Sequence, residues 1–182
     1  MYKTSRTIYS FLIISICIAL FSSASAQRRT KPGWGYGAAI IYNFATEGFG
    51  ADVRVKIPIR NRLSAVPEIS YFPGFNRYHE FYAGLALHYE IFTIKSYNLY
   101  LAAGGYYNNW MNADEFIPGA RKQNNFVFEA GGGLVRNRGC FRPFIEDRYD
   151  FKWKENNLRI GIYWYPGYCR GGKKEKCPPN PT

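Results

Sequence analysis

Residues 48–57 read GFGADVRVKI, and this stretch decides the fold. Phe49, Ala51, Val53, Val55 and Ile57 fall on one parity. Gly50, Asp52, Arg54 and Lys56 fall on the other. An extended chain sends successive side chains to opposite faces, so this period of two predicts a strand. One face is wholly apolar and the other is charged or small, so the strand separates two unlike surroundings.

The same alternation recurs on both sides of this stretch. A first segment covers residues 34–44. Residues 62–72 set Leu63, Ala65, Pro67, Ile69 and Tyr71 against Ser64, Glu68 and Ser70. Residues 79–91 set Phe81, Ala83, Leu85, Leu87 and Tyr89 against Glu80, Gly84, His88 and Glu90. A fifth segment covers 97–108. Residues 126–135 set Phe126, Phe128, Ala130 and Leu134 against Glu129, Gly131 and Gly133. Residues 141–153 carry Arg142, Glu146, Arg148, Asp150 and Lys152 on one face, and the eighth segment sets Leu158, Ile160, Ile162 and Trp164 against Arg159 and Gly161. Proline has no amide hydrogen for a ladder, so Pro67 and Pro143 predict bulges. A bulge near Pro143 is also expected to shift the register of its segment, because Asp147 otherwise lands on the apolar face.

Each segment is about ten residues, the length of a tilted strand that crosses a bilayer. With the N-terminus taken as periplasmic, the inner turns at 58–61, 93–96 and 136–139 are short. The outer connections at 45–47, 73–78, 109–125 and 154–156 include one long loop. Short inner turns with a long outer loop fit an outer-membrane barrel. The predicted fold is all-β: an eight-stranded antiparallel up-and-down transmembrane β-barrel over residues 34–165.

Alternation alone does not say which face is inside. A soluble, secreted lipocalin-like ligand-binding barrel would turn its apolar face inward. Two features favour the reverse. The polar parity is also the small one, with Gly35, Gly37, Ala39, Gly84, Ala86, Ala102, Gly104, Gly131, Gly133 and Gly161. A narrow eight-stranded interior needs small residues, whereas a wetted surface has no reason to select mid-strand glycine. The apolar parity puts aliphatics mid-strand and aromatics at the ends, at Tyr36, Tyr42, Phe44, Phe49, Tyr71, Phe81, Tyr89, Tyr107, Phe151, Trp153 and Trp164. That is the two-girdle pattern of a lipid-facing wall. Aromatic residues make up 19% of the chain, which fits both strands and girdles.

The N-terminus predicts export. Lys3 and Arg6 precede an apolar run through Phe21, and Ala24 and Ala26 fit a cleavage site, so residues 1–26 are expected to be a signal peptide. Residues 27–33 then form a short periplasmic segment, and residues 166–182 a basic periplasmic tail. The net charge of +11 suits nucleic acid in principle, but an exported chain rarely meets any, and no nucleic-acid partner is expected.

Over roughly residues 34–165 the chain resembles the OmpA/OmpX-like family of eight-stranded outer-membrane barrels. The final strand, residues 159–165 (RIGIYWY), looks partly like the C-terminal assembly signal of such barrels, although a tail follows it here. The resemblance implies insertion in the bacterial outer membrane, with lipid as a partner, and a role in envelope integrity, adhesion or scaffolding.

Four groups of residues are candidates for function. The first is a lumen charge network of Asp52, Arg54, Lys56, Glu68, Glu80, His88, Glu90, Glu129, Arg142, Glu146, Arg148, Asp150 and Arg159. Its mixed signs predict a salt-bridged plug rather than an ion pathway. The second is a basic periplasmic face made of Arg60, Arg62, Arg136, Arg138, Arg170, Lys173, Lys174 and Lys176, with Arg28, Arg29, Lys31 and Lys95 beside them. It suits an anionic periplasmic partner or the cell wall.

The third group is the cysteines of the mature chain, Cys140, Cys169 and Cys177. Outside the cytoplasm they are expected to pair. A hairpin turn centred near Lys154–Glu155 sets Cys140 opposite Cys169, and a Cys169–Cys177 bridge is the alternative. The last group is His79 and His88, the only histidines. An outer-membrane lipid-modifying enzyme is conceivable in this architecture, but no Ser–His–acid spacing or metal-ligand spacing appears. The expectation is a non-enzymatic protein with no catalytic residues, no metal and no cofactor.

Overall fold

The computed structural model describes residues 33–73, 79–111 and 124–169. The signal-peptide reading, Arg28, Arg29, Lys31, the tail lysines, Arg170 and Cys177 lie outside the described residues. Eight strands follow in chain order: β1 (Gly35–Asn43), β2 (Gly48–Arg60), β3 (Leu63–Phe72), β4 (His79–Ile94), β5 (Tyr97–Met111), β6 (Asn124–Arg136), β7 (Phe141–Asp150) and β8 (Glu155–Trp164). Each pairs antiparallel with the next, and β8 pairs back to β1 from Tyr36–Trp164 to Asn43–Asn157, so the sheet is a closed barrel. Closure leaves no strand edge to protect.

Several strands run longer than the alternation suggested. β2 continues to Arg60 through a register shift between Pro58 and Arg60, and β4 continues to Ile94 through another between Glu90 and Phe92. The β4–β5 turn is thereby tightened to Lys95 and Ser96, with Lys95 at φ 52°.

The bulges expected at Pro67 and Pro143 are absent. Pro67 pairs regularly with Leu85 of β4, and the β2–β3 ladder is interrupted beside it, between Arg54–Glu68 and Ile57–Ala65, with its register kept. Pro143 pairs regularly with Ile162 of β8 and lies just past the end of the β6–β7 ladder at Val135–Phe144. In both places the missing amide hydrogen points where no ladder bond is made. The register of β7 is therefore unshifted, and Asp147 stays on the outer face, between Gly132 and Leu158.

The distribution of burial is inverted relative to a water-soluble domain. Ile40 is 64% exposed, Val53 60% and Leu101 51%, whereas Arg148 and His88 are 0% exposed. Glycines leave the lumen space for large rings. A Cβ on Gly133 would come within 2.7 Å of the Tyr100 hydroxyl, and one on Gly84 would collide with Tyr106. Tyr100 and Tyr106 thus lie over glycines of neighbouring strands, filling the interior that the small residues vacate.

Candidate functional site

Three layers of side chains fill the barrel. The middle layer draws on every strand except β1, whose inward Gly37 instead leaves room for the Tyr163 ring and the Arg54 stem. Arg54 donates from Nε and Nη2 to the two oxygens of Asp52, at 2.8 and 2.5 Å, and from Nη1 to Glu146 at 2.9 Å. Arg148 forks onto Glu68 at 2.7 and 3.1 Å and lies 2.7 Å from Glu146. Arg159 donates to Glu129 at 2.8 Å.

Tyr106 accepts from Arg148, and the Tyr100 hydroxyl donates to Glu146 at 2.7 Å. His88 stacks on Tyr100 with ring centroids 4.7 Å apart, and its Nε2 lies 3.3 Å from Arg148 and 3.5 Å from Glu146. Three guanidiniums thus interlock with four carboxylates. Buried charge is costly unless it is paired and hydrogen-bonded, and here each group is.

The layer toward the inner turns is separate. Lys56 pairs with Glu90 at 3.3 Å, and Asn98 donates to the same carboxylate at 2.9 Å. Arg142 leaves the charge network altogether. Its guanidinium lies 4.1 Å from the Tyr165 ring centre and 4.6 Å from that of Tyr168, and it donates to the Gly139 carbonyl at 3.1 Å. The buried Tyr165 ring presents its face to that cation.

The outer layer holds the remaining predicted lumen acids. Glu80 accepts from Tyr82 at 2.9 Å and Asn108 at 3.5 Å, and Asp150 accepts backbone amides of Lys152 and Trp153 at 2.7 and 3.0 Å. Neither forms an ion pair among the described residues. Lys152 does not enter the lumen. It lies in the β7–β8 turn, exposed, and donates to Asn125 at 2.7 Å. Trp153, read as a girdle residue, instead folds over the mouth and stacks on Trp110 at 4.9 Å.

At the rim of the inner turns, Arg60, Arg136 and Arg138 are exposed, while Arg62 is half-buried and its Nη1 donates to the Ile91 carbonyl at 3.4 Å. The same rim carries a Cys140–Cys169 disulfide with Cα atoms 4.8 Å apart. The pairing is the expected one, but the expected hairpin register is not. The β7–β8 turn covers residues 151–154, so the ladder pairs Phe141 with Trp164 and brings Tyr165, not Cys169, beside Cys140. Cys169 reaches Cys140 because the 3-10 turn Pro166–Tyr168 doubles the chain back.

The inward tyrosines Tyr82, Tyr100, Tyr106, Tyr163 and Tyr165, and the inward Asn43, Asn98, Asn108 and Asn157, were not among the sequence candidates. Parity alone could have found them: Tyr82, Tyr163, Tyr165 and Asn157 share the face of a predicted lumen charge, and Asn43, Asn98, Tyr100, Tyr106 and Asn108 share that of the small residues assigned to the lumen. Among the described residues no three His, Cys, Asp or Glu side chains stand close enough to share a metal ion.

No family model matches the chain, and no curated protein matches it in sequence. Solved structures do match in shape. The N-terminal β-barrel domain of Pseudomonas aeruginosa OprF is 12% identical, with a TM-score of 0.56 over 74% of this chain and 98% of that one. Neisserial surface protein A is 13% identical, with a TM-score of 0.57 over 75% and 99%. A de novo designed transmembrane β-barrel is 15% identical, with a TM-score of 0.53 over 74% and 97%. At these identities the likeness is one of fold: the closed, eight-stranded, up-and-down barrel architecture of outer-membrane proteins.

Proposed function

We propose that the chain is an integral outer-membrane barrel with a non-enzymatic role, anchored by its wall, plugged by its charge network, and used as a scaffold or docking element in the envelope. One observation carries this reading: charged side chains fill the lumen while Ile40, Val53, Leu85, Leu101 and Ile160 line the outside. A soluble lipocalin-like barrel would need the opposite arrangement. In water such a wall would aggregate, but in hydrocarbon it is at home.

The buried and interlocked Arg54, Arg148 and Arg159 occupy the middle layer, so the proposal assigns no pore. The basic rim supplies the docking surface, and its charge suits an anionic periplasmic partner or cell-wall carboxylates. The outer-membrane fraction should contain the protein, with faster gel migration unheated than boiled, and planar bilayers should show no stable single-channel current. Recovery in the soluble fraction would defeat the membrane reading, and a large steady current would defeat the plug.

A further inference from the structure

At the end of the barrel opposite the basic rim, three inward acids form no ion pair among the described residues, although the Lys152 ammonium acts on Asp150 from the neighbouring turn. Glu80 of β4, Asp150 of β7 and Glu155 of β8 all project inward there. Asp150 and Glu155 are directly paired across the β7–β8 ladder, and Glu155 lies within electrostatic reach of Glu80, Asp150 and Glu129. Among the described residues no lysine, arginine or histidine forms an ion pair with any of the three. The middle layer, by contrast, matches each carboxylate to a guanidinium.

A second observation is independent of these charges. Asn108 of β5 is 0% exposed, and its Nδ2 points at Glu80, yet its Oδ1 has no hydrogen-bond partner. Asp150 Oδ2 and Asn157 Oδ1 are orphaned in the same way. An unmet buried acceptor costs about 1–3 kcal/mol, a cost that a donating ligand would remove. Among the described residues these orphaned acceptors outnumber the orphaned donor beside them, the Trp153 indole N–H. The rim of this mouth adds the Trp110 and Trp153 rings, 4.9 Å apart, and the Lys152 ammonium, 5.1 Å from the Trp153 ring centre, shows that such a face takes an ammonium group.

The complement of such a site is a cation that only donates. An ammonium group has three donors and no acceptor. A divalent metal fits less well, because among the described residues no three ligating side chains stand close enough to share one.

We propose that the outer mouth binds a ligand bearing primary ammonium groups, of the polyamine class. An ammonium enters between the half-buried Glu80 and Glu155, donates to their carboxylates, and lies under the field of Asp150. Trp110 and Trp153 cover its alkyl chain. The site is separate from the plug and from the basic rim.

The test uses the full mature barrel folded in zwitterionic detergent, titrated calorimetrically with spermidine at low salt. Saturable binding is expected, weakened at least tenfold in the Glu80→Gln/Glu155→Gln double variant and progressively by added salt. Glu155→Gln alone, at the end of a strand beside a turn, serves as the variant least able to disturb folding and should weaken binding severalfold. Unheated gel mobility verifies that each variant is a closed barrel. No binding to the wild-type barrel, or equal binding to both variants, overturns the proposal. So does calcium chloride, if it binds alone, displaces spermidine and loses its own binding in the double variant, because the site would then be a metal site.

Discussion

Arg148 and Glu68 meet fork to fork across the lumen, with nitrogen–oxygen distances of 2.7 and 3.1 Å. Their strands, β7 and β3, are four places apart in a ring of eight, so this pair spans the full width of the barrel. A bidentate guanidinium–carboxylate contact fixes geometry as well as charge. It braces opposite walls that share no backbone hydrogen bonds.

Removing the brace on one side alone should be costly. Arg148→Met leaves Glu68 and Glu146 short of a cation in a closed interior, and a loss of about 3–5 kcal/mol is expected in urea titrations of the barrel in lipid vesicles. Glu68→Gln combined with Arg148→Met should cost less than the two single losses added together. Strict additivity would mean that the two residues do not act as a unit.

Glycine substitutions should sort by what they strike. A methyl group on Gly131 runs into the Asp147 carbonyl and the Arg148 Cα, which are backbone, whereas one on Gly37 meets the Tyr163 ring and the Arg54 stem. Gly131→Ala should therefore lower stability by about 1–3 kcal/mol or prevent closure, with Gly37→Ala milder because side chains can move. The fraction of heat-modifiable protein after refolding distinguishes the two.

Asp147 presents a carboxylate to the outer wall, between Gly132 and Leu158. In hydrocarbon this position destabilises the fold. Asp147→Leu should raise the urea midpoint in vesicles, by less than the roughly 2–4 kcal/mol that a lysine or arginine costs at a bilayer midplane. A lowered midpoint would mean that the carboxylate has a partner at the wall.

The rim disulfide should survive loss of the third cysteine. Cys177→Ser should leave a Cys140–Cys169 linked peptide intact in non-reducing maps, whereas Cys169→Ser should cost about 2–4 kcal/mol of stability. A Cys169–Cys177 peptide from the wild-type protein would contradict the structure at this point.

Strand parity was legible in the sequence because one rule, period two, governs the wall residues of a barrel away from its bulges. Asp52, Arg54, Glu68, Glu146, Arg148 and Arg159 could be placed in the lumen from that rule alone. The tyrosines were harder, since Tyr100 and Tyr106 have the composition of girdle residues and only their parity sends them inward. The prolines misled because a missing donor need not shift the register: beside Pro67 the ladder to β2 skips two pairs and resumes in step, and at Pro143 the ladder to β6 has already ended. The cysteine pair was predicted by the wrong geometry. A two-residue error in the turn moved the ladder, and a short helical turn, invisible to strand counting, restored the meeting of Cys140 with Cys169.

The pairing of β1 with β8 has one more consequence. Tyr36 and Trp164 are cross-strand neighbours, so the barrel begins and finishes at adjacent places on one rim. A ring of hairpins has no first member, and the chain could be recut at any outer turn, with its old ends spliced, without altering one contact in the wall. What such a recut molecule would lose is the order in which its staves arrive. Comparing its insertion kinetics with the native arrangement would separate the information that holds the vessel together from the information that builds it.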